Sequence, residues 1–260
     1  MSFYPIRQLL DKVKKEYNIP QYSIDIFRNS ENYFSYQKGT PFIKNIFYKN
    51  SKYSVANPKM VICLSLIMLC VSEKISLEDN ISKHVTDFPS DKKINDLIYE
   101  YMETYEIKSE PKCFEIISEI VQKLSGCSLD KYTESYIFKP MRMHSTLFDS
   151  QTLETTACDY LKLCNNICNQ GVYLSKNKNL HKSINVLCEF INKFQKQYFS
   201  YVDKNGIYTL IDINKKIIAI YNQSPSSIFK TQIGVFEELE TLIYECLENE
   251  TFPRGYNLFP

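Results

Sequence analysis

The chain has 260 residues, of which 44% are hydrophobic and 23% are charged, and its formal net charge is +1. A chain of this length can bury a core that depends on neither disulfides nor metals. The near-zero charge and the lack of a basic stripe argue against nucleic acid and against an anionic membrane as partners.

The start of the chain pairs one helical pattern with two strand patterns. Apolar residues recur at helical spacing in "PIRQLLDKVKKEYNIP", which predicts a first helix. The next run, "YSIDIFR", alternates and places Tyr22, Ile24 and Ile26 on one face of a strand. A second strand, "ENYFSYQKG", ends at a glycine typical of a turn. Residues 40–52 are predicted to be a loop.

A mainly helical block follows, from residue 53 to about residue 192. Its centre is Met60 to Val71, where Ser65 is the one polar side chain, so we expect a helix enclosed on every side. In the preceding "ANPK", Asn57 is a suitable N-cap for the predicted helix 58–73, and Pro58 is suitable as its first residue. Helices are predicted at 58–73, 92–105, 112–124, 128–136, 156–169 and 181–197.

The pattern returns to strands near the end of the chain. "YFSYV", "IYTLIDI" and "IIAIYNQ" are rich in β-formers and are joined by turn-like "DKNG" and "NKK", and an amphipathic helix follows at about 232–247. We expect an α+β fold, in which both chain ends supply one antiparallel sheet of about five strands flanked by the terminal helices. The single domain, 1–260, would comprise an α/β part (1–52 and 193–260) and an inserted helical part (53–192).

The nine cysteines are odd in number and scattered. The first residues lack the apolar segment of a signal peptide, and the longest apolar run is shorter than the roughly 20 residues that cross a bilayer. We therefore expect reduced thiols and a cytoplasmic location. Cys158, Cys164 and Cys168 lie close together, but no histidine joins them at a ligand-like spacing, so we expect neither a metal nor a cofactor.

Several segments resemble the serine β-lactamase and penicillin-binding protein superfamily, in its branch of class C β-lactamases, D-alanyl-D-alanine carboxypeptidases and LACTB-like proteins. "EKISLEDNISKHVTDFP" is similar to that branch's "GKLSLDDPVSKYLPEF". "EIISEIVQKLSGCSLDKYTESYIFKPMRMHSTLF" is similar to its "LGxIIExVSGxSxxEYxxExIFxPLGMxxTxF". "TTACDYLKLCNNICNQGVYL" is similar to its "STAxDLAKFxxxLLNGGxYL". The resemblance spans nearly the whole chain and implies the fold of that superfamily.

The resemblance also implies three catalytic elements, and the first is S-x-x-K at the start of the central helix. There the serine is the nucleophile and the lysine assists its deprotonation. Counting back from "ISLEDN" places the lysine at Lys59 and the nucleophile at Ala56, or at Asn57 if one residue is deleted. Neither residue is a serine. A lysine in the first turn opposes the helix dipole, so Lys59 should either face water or find a partner such as a carbonyl or a carboxylate. We favour an inherited lysine whose nucleophile has been lost over a chance surface lysine.

The other two elements are also absent from their expected positions. The family's Y-x-N, which supplies a general base, falls on Ser109, Glu110 and Pro111. The family's K-T-G or H-x-G, which binds the substrate carboxylate and the oxyanion, should begin the strand "YFSYV" and is not there. "KNG" at residues 204–206 looks similar, but we interpret it as the hairpin turn after that strand.

The sequence therefore predicts a catalytically inactive protein of this superfamily, a pseudoenzyme, with a protein-binding, assembly or regulatory role. Protein partners are expected, nucleic acid and membrane are not, and oligomerisation stays open. One alternative is a hydrolase with a relocated site at Ser109 and Lys112, or at a cysteine such as Cys113. S-x-x-K occurs six times, and Ser109–Lys112 is the one that leads into an amphipathic helix, where Ser109 could equally be a helix cap. Another alternative is a small-molecule binder that uses the old cleft.

Overall fold

Most of the long helices, and the strands near both chain ends, form where the sequence predicts them. The computed structural model describes residues 3–39, 52–56, 58–85, 91–103, 110–149, 152–174, 176–203, 205–223 and 233–249. The strands in these ranges are β1 (Tyr22–Arg28), β2 (Glu31–Lys38), β3 (Lys52–Ala56), β4 (Leu147–Asp149), β5 (Thr152–Thr156), β6 (Phe199–Val202), β7 (Tyr208–Asp212) and β8 (Ile217–Gln223). The helices are α1 (Tyr4–Glu16), α2 (Lys59–Val71), α3 (Ile94–Glu103), α4 (Glu110–Ser125), α5 (Leu129–Thr133), α6 (Ala157–Cys168), α7 (Lys178–Lys193) and α8 (Ile233–Glu248).

The chain divides into two compact units, and the first contains both chain ends, Met1–Ser51 and Tyr198–Pro260. Its antiparallel sheet has the order β2-β1-β8-β7-β6. Tyr22, Ile24 and Ile26 alternate inward along β1 as predicted, and they share one apolar core with residues of α1 and α8. The predicted α+β class and the sheet of about five strands from both chain ends are confirmed.

The second unit, Lys52–Gln197, is built around α2. Every residue of this helix from Lys59 to Leu69 is buried, and the helix packs against α3, α4, α5 and α7. Ser65, its one polar residue after the first turn, donates its hydroxyl to the carbonyl of Val61 at 2.9 Å. That bond satisfies the hydroxyl inside an apolar environment. The prediction of a helix enclosed on every side is confirmed.

This second unit also contains a small sheet that the sequence does not predict. Its strands have the order β3-β5-β4, with Ala56 opposite Thr152 and Val55 opposite Leu153. The strands are only three to five residues long and carry several polar residues. Such short runs lack enough alternation to be recognised, so the description of residues 53–192 as mainly helical was incomplete.

The start of α2 also differs from the prediction. Pro58 occupies the N-cap position with φ −71° and ψ 77°, and no side chain caps the helix there. Its carbonyl accepts the first helical hydrogen bond, from Val61 N at 2.9 Å. The prediction that Pro58 is the first helical residue was therefore wrong by one position. Asn57, the predicted N-cap, lies outside the described residues.

A buried carboxylate joins the small sheet to α6. Asp159 is 4% exposed, and it accepts hydrogen bonds from Ser145 N at 2.7 Å, Thr146 Oγ1 at 3.2 Å and Lys162 Nζ at 2.6 Å. In return, Thr156 Oγ1 accepts from Asp159 N and caps α6. One side chain thus satisfies donors from a loop and a helix at the same time.

We expect Asp159→Ala to lower the free energy of unfolding by about 2–4 kcal/mol, because it removes the acceptor of the buried Thr146 hydroxyl, the part-buried Ser145 N–H and the part-buried Lys162 ammonium group. Urea denaturation monitored by circular dichroism measures this change. The matched control is Glu119→Ala at an exposed position of α4, which should change stability by less than about 0.5 kcal/mol. Equal effects of the two substitutions would contradict the assigned network.

Candidate functional site

The first residue of α2 is a buried lysine. Lys59 is 1% exposed, although it lies in the first turn, where the helix dipole disfavours a cation. Its Nζ lies 5.8 Å from the centroid of the Tyr101 ring, a distance at which a cation is attracted to the face of the ring. Its burial excludes a lysine that faces water, and the Tyr101 ring beside its ammonium group is a contact that the sequence did not predict.

Helix α3 supplies Tyr101, and sequence reasoning missed its role. Ile94, Leu97, Ile98 and Tyr101 are buried at helical spacing, so their periodicity alone could show that Tyr101 faces inward. No local pattern could show that the ring meets Lys59, because the two residues are 42 positions apart and come together only when α3 packs against α2.

Two cysteines belong to the same buried neighbourhood as Lys59. Cys63 lies one helical turn after Lys59 and is fully buried, and Cys113 of α4 is 7% exposed. Burial raises the pKa of the Cys63 thiol, and the nearby Lys59 charge opposes that rise while the Cys113 thiol adds to it. A thiol held protonated in this way is a poor nucleophile. All nine cysteines of the chain are free.

The predicted nucleophile position is at the end of a strand. Ala56 is the last residue of β3 and lies outside the helix that Lys59 begins. Alanine carries no oxygen, so an acyl-enzyme cannot form on it. Of the other predicted positions, Asn57 and Ser109 lie outside the described residues, whereas Pro111 lies in the first turn of α4. Lys112, which follows it, is exposed.

Asn205 and Gly206 of "KNG" lie in a hairpin turn, as predicted, and Lys204 lies outside the described residues. Asp203 Oδ1 accepts hydrogen bonds from Asn205 N at 2.9 Å and from Ile207 N at 2.8 Å, which closes the connection between β6 and β7. Gly206 has φ +82°, and a Cβ there would lie 2.2 Å from Gln223 Nε2. This glycine is required by backbone conformation and by space, so turn formation explains it without any oxyanion role.

A groove of about 580 Å³ lies elsewhere in the second unit, at the other end of α2. It is lined by Cys70, Val71, Glu73, Lys74, Ile75, Ser76, Leu77, Asp79 and Val186. Because a helix rises about 1.5 Å per residue, the groove lies on the order of one helix length, about 20 Å, from Lys59. It therefore provides no cavity at the predicted catalytic position.

Neither a metal centre nor a membrane span is found among the described residues. No group of three histidine, cysteine, aspartate or glutamate side chains there could hold a metal ion. Cys164 and Cys168 are buried in α6, and burial raises the pKa of Cys164. Within the same ranges, no helix is both long and apolar enough to cross a bilayer.

Comparison of the whole chain with solved structures identifies its architecture. A class C β-lactamase from Rhodobacter sphaeroides aligns with a TM-score of 0.68 and 10% identity, over 92% of this chain and 99% of that one. A putative β-lactamase from Bacteroides dorei aligns with a TM-score of 0.65 and 13% identity, over 93% and 99%. The chain has the serine β-lactamase-like fold.

This fold is shared beyond the β-lactamases. The octameric penicillin-binding protein homologue from Pyrococcus abyssi aligns with a TM-score of 0.61 and 13% identity, over 93% of this chain and 78% of that one. No protein-family model and no curated protein matches the sequence. At such low identity the likeness establishes the serine β-lactamase-like fold, and fold by itself does not determine activity.

We expect Lys59→Met to raise the free energy of unfolding by about 1–2 kcal/mol, because it replaces a buried cation at a helix N-terminus with an apolar side chain of similar length. Urea denaturation measures the change. Lys131→Met at an exposed position of α5 is the control and should be neutral to within about 0.5 kcal/mol. A loss of more than about 2 kcal/mol on Lys59→Met would show that this lysine is a structural requirement instead.

Gly126 and Gly206 form a matched pair for testing the turn. Both have positive φ, but a Cβ at Gly126 would meet nothing within 4 Å. We expect Gly126→Ala to cost about 1 kcal/mol through backbone strain alone. Gly206→Ala should cost about 1 kcal/mol more, because it displaces Gln223 from its bond with the Tyr221 hydroxyl. Equal losses in thermal or urea denaturation would contradict the close approach at Gly206.

Proposed function

We propose that this chain is a non-catalytic protein with the serine β-lactamase-like fold, and that it acts by binding other proteins in assembly or regulation. One observation carries the proposal: the residue three positions before the buried Lys59 is Ala56. Serine acyl transfer needs a hydroxyl that an adjacent base activates. Here the candidate base is retained, and the atom that it would activate is missing.

The surroundings of Lys59 support this proposal. A lysine that assists a nucleophile must exchange protons with it, and therefore needs both atoms within hydrogen-bond reach. The Lys59 side chain lies beside the Tyr101 ring and near the Cys63 thiol, and the position from which the family's serine would reach it is Ala56. At 1% exposure, its amine is also a poor candidate for a direct attack on a bound substrate.

The other two sequence elements support the same proposal. Pro111 lies in the first turn of α4, where the resemblance places the end of Y-x-N, and proline has no group that can move a proton. Strand β6, "FSYV", contains neither K-T-G nor H-x-G. The three missing motifs, S-x-x-K, Y-x-N and K-T-G or H-x-G, all serve one reaction. The enclosed helix α2, at whose start the first motif would lie, is retained.

A hydrolase that uses Cys113 gains little support from the structure. Its thiol is 7% exposed on α4, and reactive cysteines are accessible and carry a lowered pKa. The alternative at Ser109 and Lys112 requires the two side chains to lie within hydrogen-bond reach of each other in a cleft. Substitution of each residue decides between these alternatives and the proposal.

We expect purified protein to show neither acylation by a fluorescent penicillin nor turnover of a panel of activated esters. Gel fluorescence and ester hydrolysis measure this, with an active class C β-lactamase as the positive control. Stoichiometric labelling would overturn the proposed lack of catalysis. Loss of that labelling in Ser109→Ala or in Cys113→Ala would assign it to a relocated site.

We expect Ala56→Ser to remain unlabelled as well, because a serine at this position would still lack the second and third elements. Measurable labelling of this single variant would show that Lys59 alone can activate a hydroxyl in this environment. It would also show that the other two losses matter less than proposed. Circular dichroism of the variant verifies that the substitution leaves the fold intact.

The binding role has its own test. Affinity purification from the native host, followed by mass spectrometry, should recover a protein partner at constant stoichiometry in independent preparations. Recovery of the chain alone would contradict the proposed role and would leave the lack of catalysis standing.

A further inference from the structure

Two adjacent apolar side chains project from the second unit between α6 and α7. Val172 is 64% exposed and Tyr173 is 61% exposed, among the most exposed large hydrophobic residues described. They belong to a short 3-10 helix, Val172–Leu174. A single exposed apolar residue is ordinary, but exposed apolar groups side by side are typical of interaction sites.

The backbone holds this pair in place. Gly171, with φ +71°, donates its N–H to Asn166 O at 2.7 Å, and a Cβ on it would lie 3.0 Å from His181 Cδ2 of α7. Leu174 is buried and donates its N–H to Gly171 O at 2.8 Å, and its own carbonyl accepts from Asn177 N. The turn is thus anchored to α6 before the exposed pair and to α7 after it. A preorganised surface loses less entropy on binding.

Three lysines follow the pair closely in the sequence. Lys176, Lys178 and Lys182 are all exposed, and Lys178 and Lys182 lie one turn apart on the same side of α7. From residue 160 to residue 188 the sequence contains no aspartate or glutamate. In the part of the chain that the structure describes, none of these three lysines forms an ion pair. Among the described residues this local positive charge therefore has no ion-pair partner, in a chain whose net charge is only +1.

We propose that Val172, Tyr173, Lys176, Lys178 and Lys182 form a docking surface for an acidic protein segment that carries an apolar side chain. We call these five residues the basic turn. Carboxylates of the partner would pair with the lysines, and its apolar residue would pack on Val172 and the Tyr173 ring. Tyrosine suits this role because it buries a large, rigid ring and keeps a polar hydroxyl at the rim.

A protein segment fits the basic turn better than a lipid surface does. Recognition of anionic lipid uses clusters of about 4–8 lysines or arginines, and the basic turn has three. Its apolar pair is also fixed between two helices rather than spread along an amphipathic helix, which is the usual form of interfacial membrane binding. This inference rests on the protein-binding part of the proposed function and is independent of its lack of catalysis.

The test is selection of a random-peptide phage library on the purified chain. We expect enriched sequences to combine several acidic residues with an aromatic or aliphatic one. A synthetic peptide of the enriched sequence, labelled with fluorescein and followed by fluorescence anisotropy, should lose affinity by about tenfold or more in the triple variant Lys176→Glu, Lys178→Glu and Lys182→Glu. Tyr173→Ser should lose a similar factor, and added salt should weaken binding to the wild type.

Matched controls are available in the first unit. Lys12 and Lys15 are exposed on α1 and Tyr4 is 58% exposed. Lys12→Glu with Lys15→Glu therefore makes the same kind of charge reversal elsewhere, at two positions instead of three, and Tyr4→Ser repeats the tyrosine change. They should bind the peptide as the wild type does. Circular dichroism and melting temperature verify folding of every variant. Equal losses in the control variants, or enrichment without acidic residues, would overturn the proposal.

Vesicles of phosphatidylcholine and phosphatidylserine provide the competing arm. Suppose that the wild type binds these vesicles, that the triple lysine variant does not, and that no acidic peptide is enriched. This combination would assign the basic turn to lipid and overturn the proposal of a protein partner. Penicillin labelling with intact peptide binding would overturn the lack of catalysis and leave the docking surface standing. If the chain neither binds an acidic peptide nor is labelled by penicillin, the docking surface is overturned and the proposed lack of catalysis still stands.

Discussion

The enclosure of α2 is the constraint on which the second unit depends. Its residues from Lys59 to Leu69 are all buried, and a helix that is apolar on every side is stable only where other elements cover it completely. Helices α3, α4, α5 and α7 supply that cover. Each fully buried large side chain contributes about 1.5–3 kcal/mol relative to exposure. These four helices therefore lie where they cover the apolar surface of α2.

Lys59 is the exception to this apolar packing. Its ammonium group enters the enclosed helix at the end where the dipole opposes it, and it lies beside the Tyr101 ring. A buried cation generally costs stability relative to an apolar residue of similar size. In an enzyme such a cost is offset by catalysis. Here the position three residues earlier is Ala56, so we propose that the cost persists after its catalytic use was lost.

Function in this chain would then lie on a surface rather than in a cleft. The groove at the C-terminal end of α2 is remote from Lys59, whereas the basic turn places Val172 and Tyr173 among three lysines on a fixed backbone. A rigid scaffold that displays a short exposed segment is a common arrangement for recognition.

The sequence by itself determined the α+β class, the five-stranded sheet and the enclosed central helix, because periodicities of two and 3.6 residues are local properties. It also determined that Ala56 cannot carry an acyl group, since that follows from the side chain alone. The short strands β3, β4 and β5 depend on each other for hydrogen bonds, and only the tertiary structure shows them. Long-range packing also decided that Lys59 meets Tyr101 and that the exposed Val172–Tyr173 pair is fixed between α6 and α7.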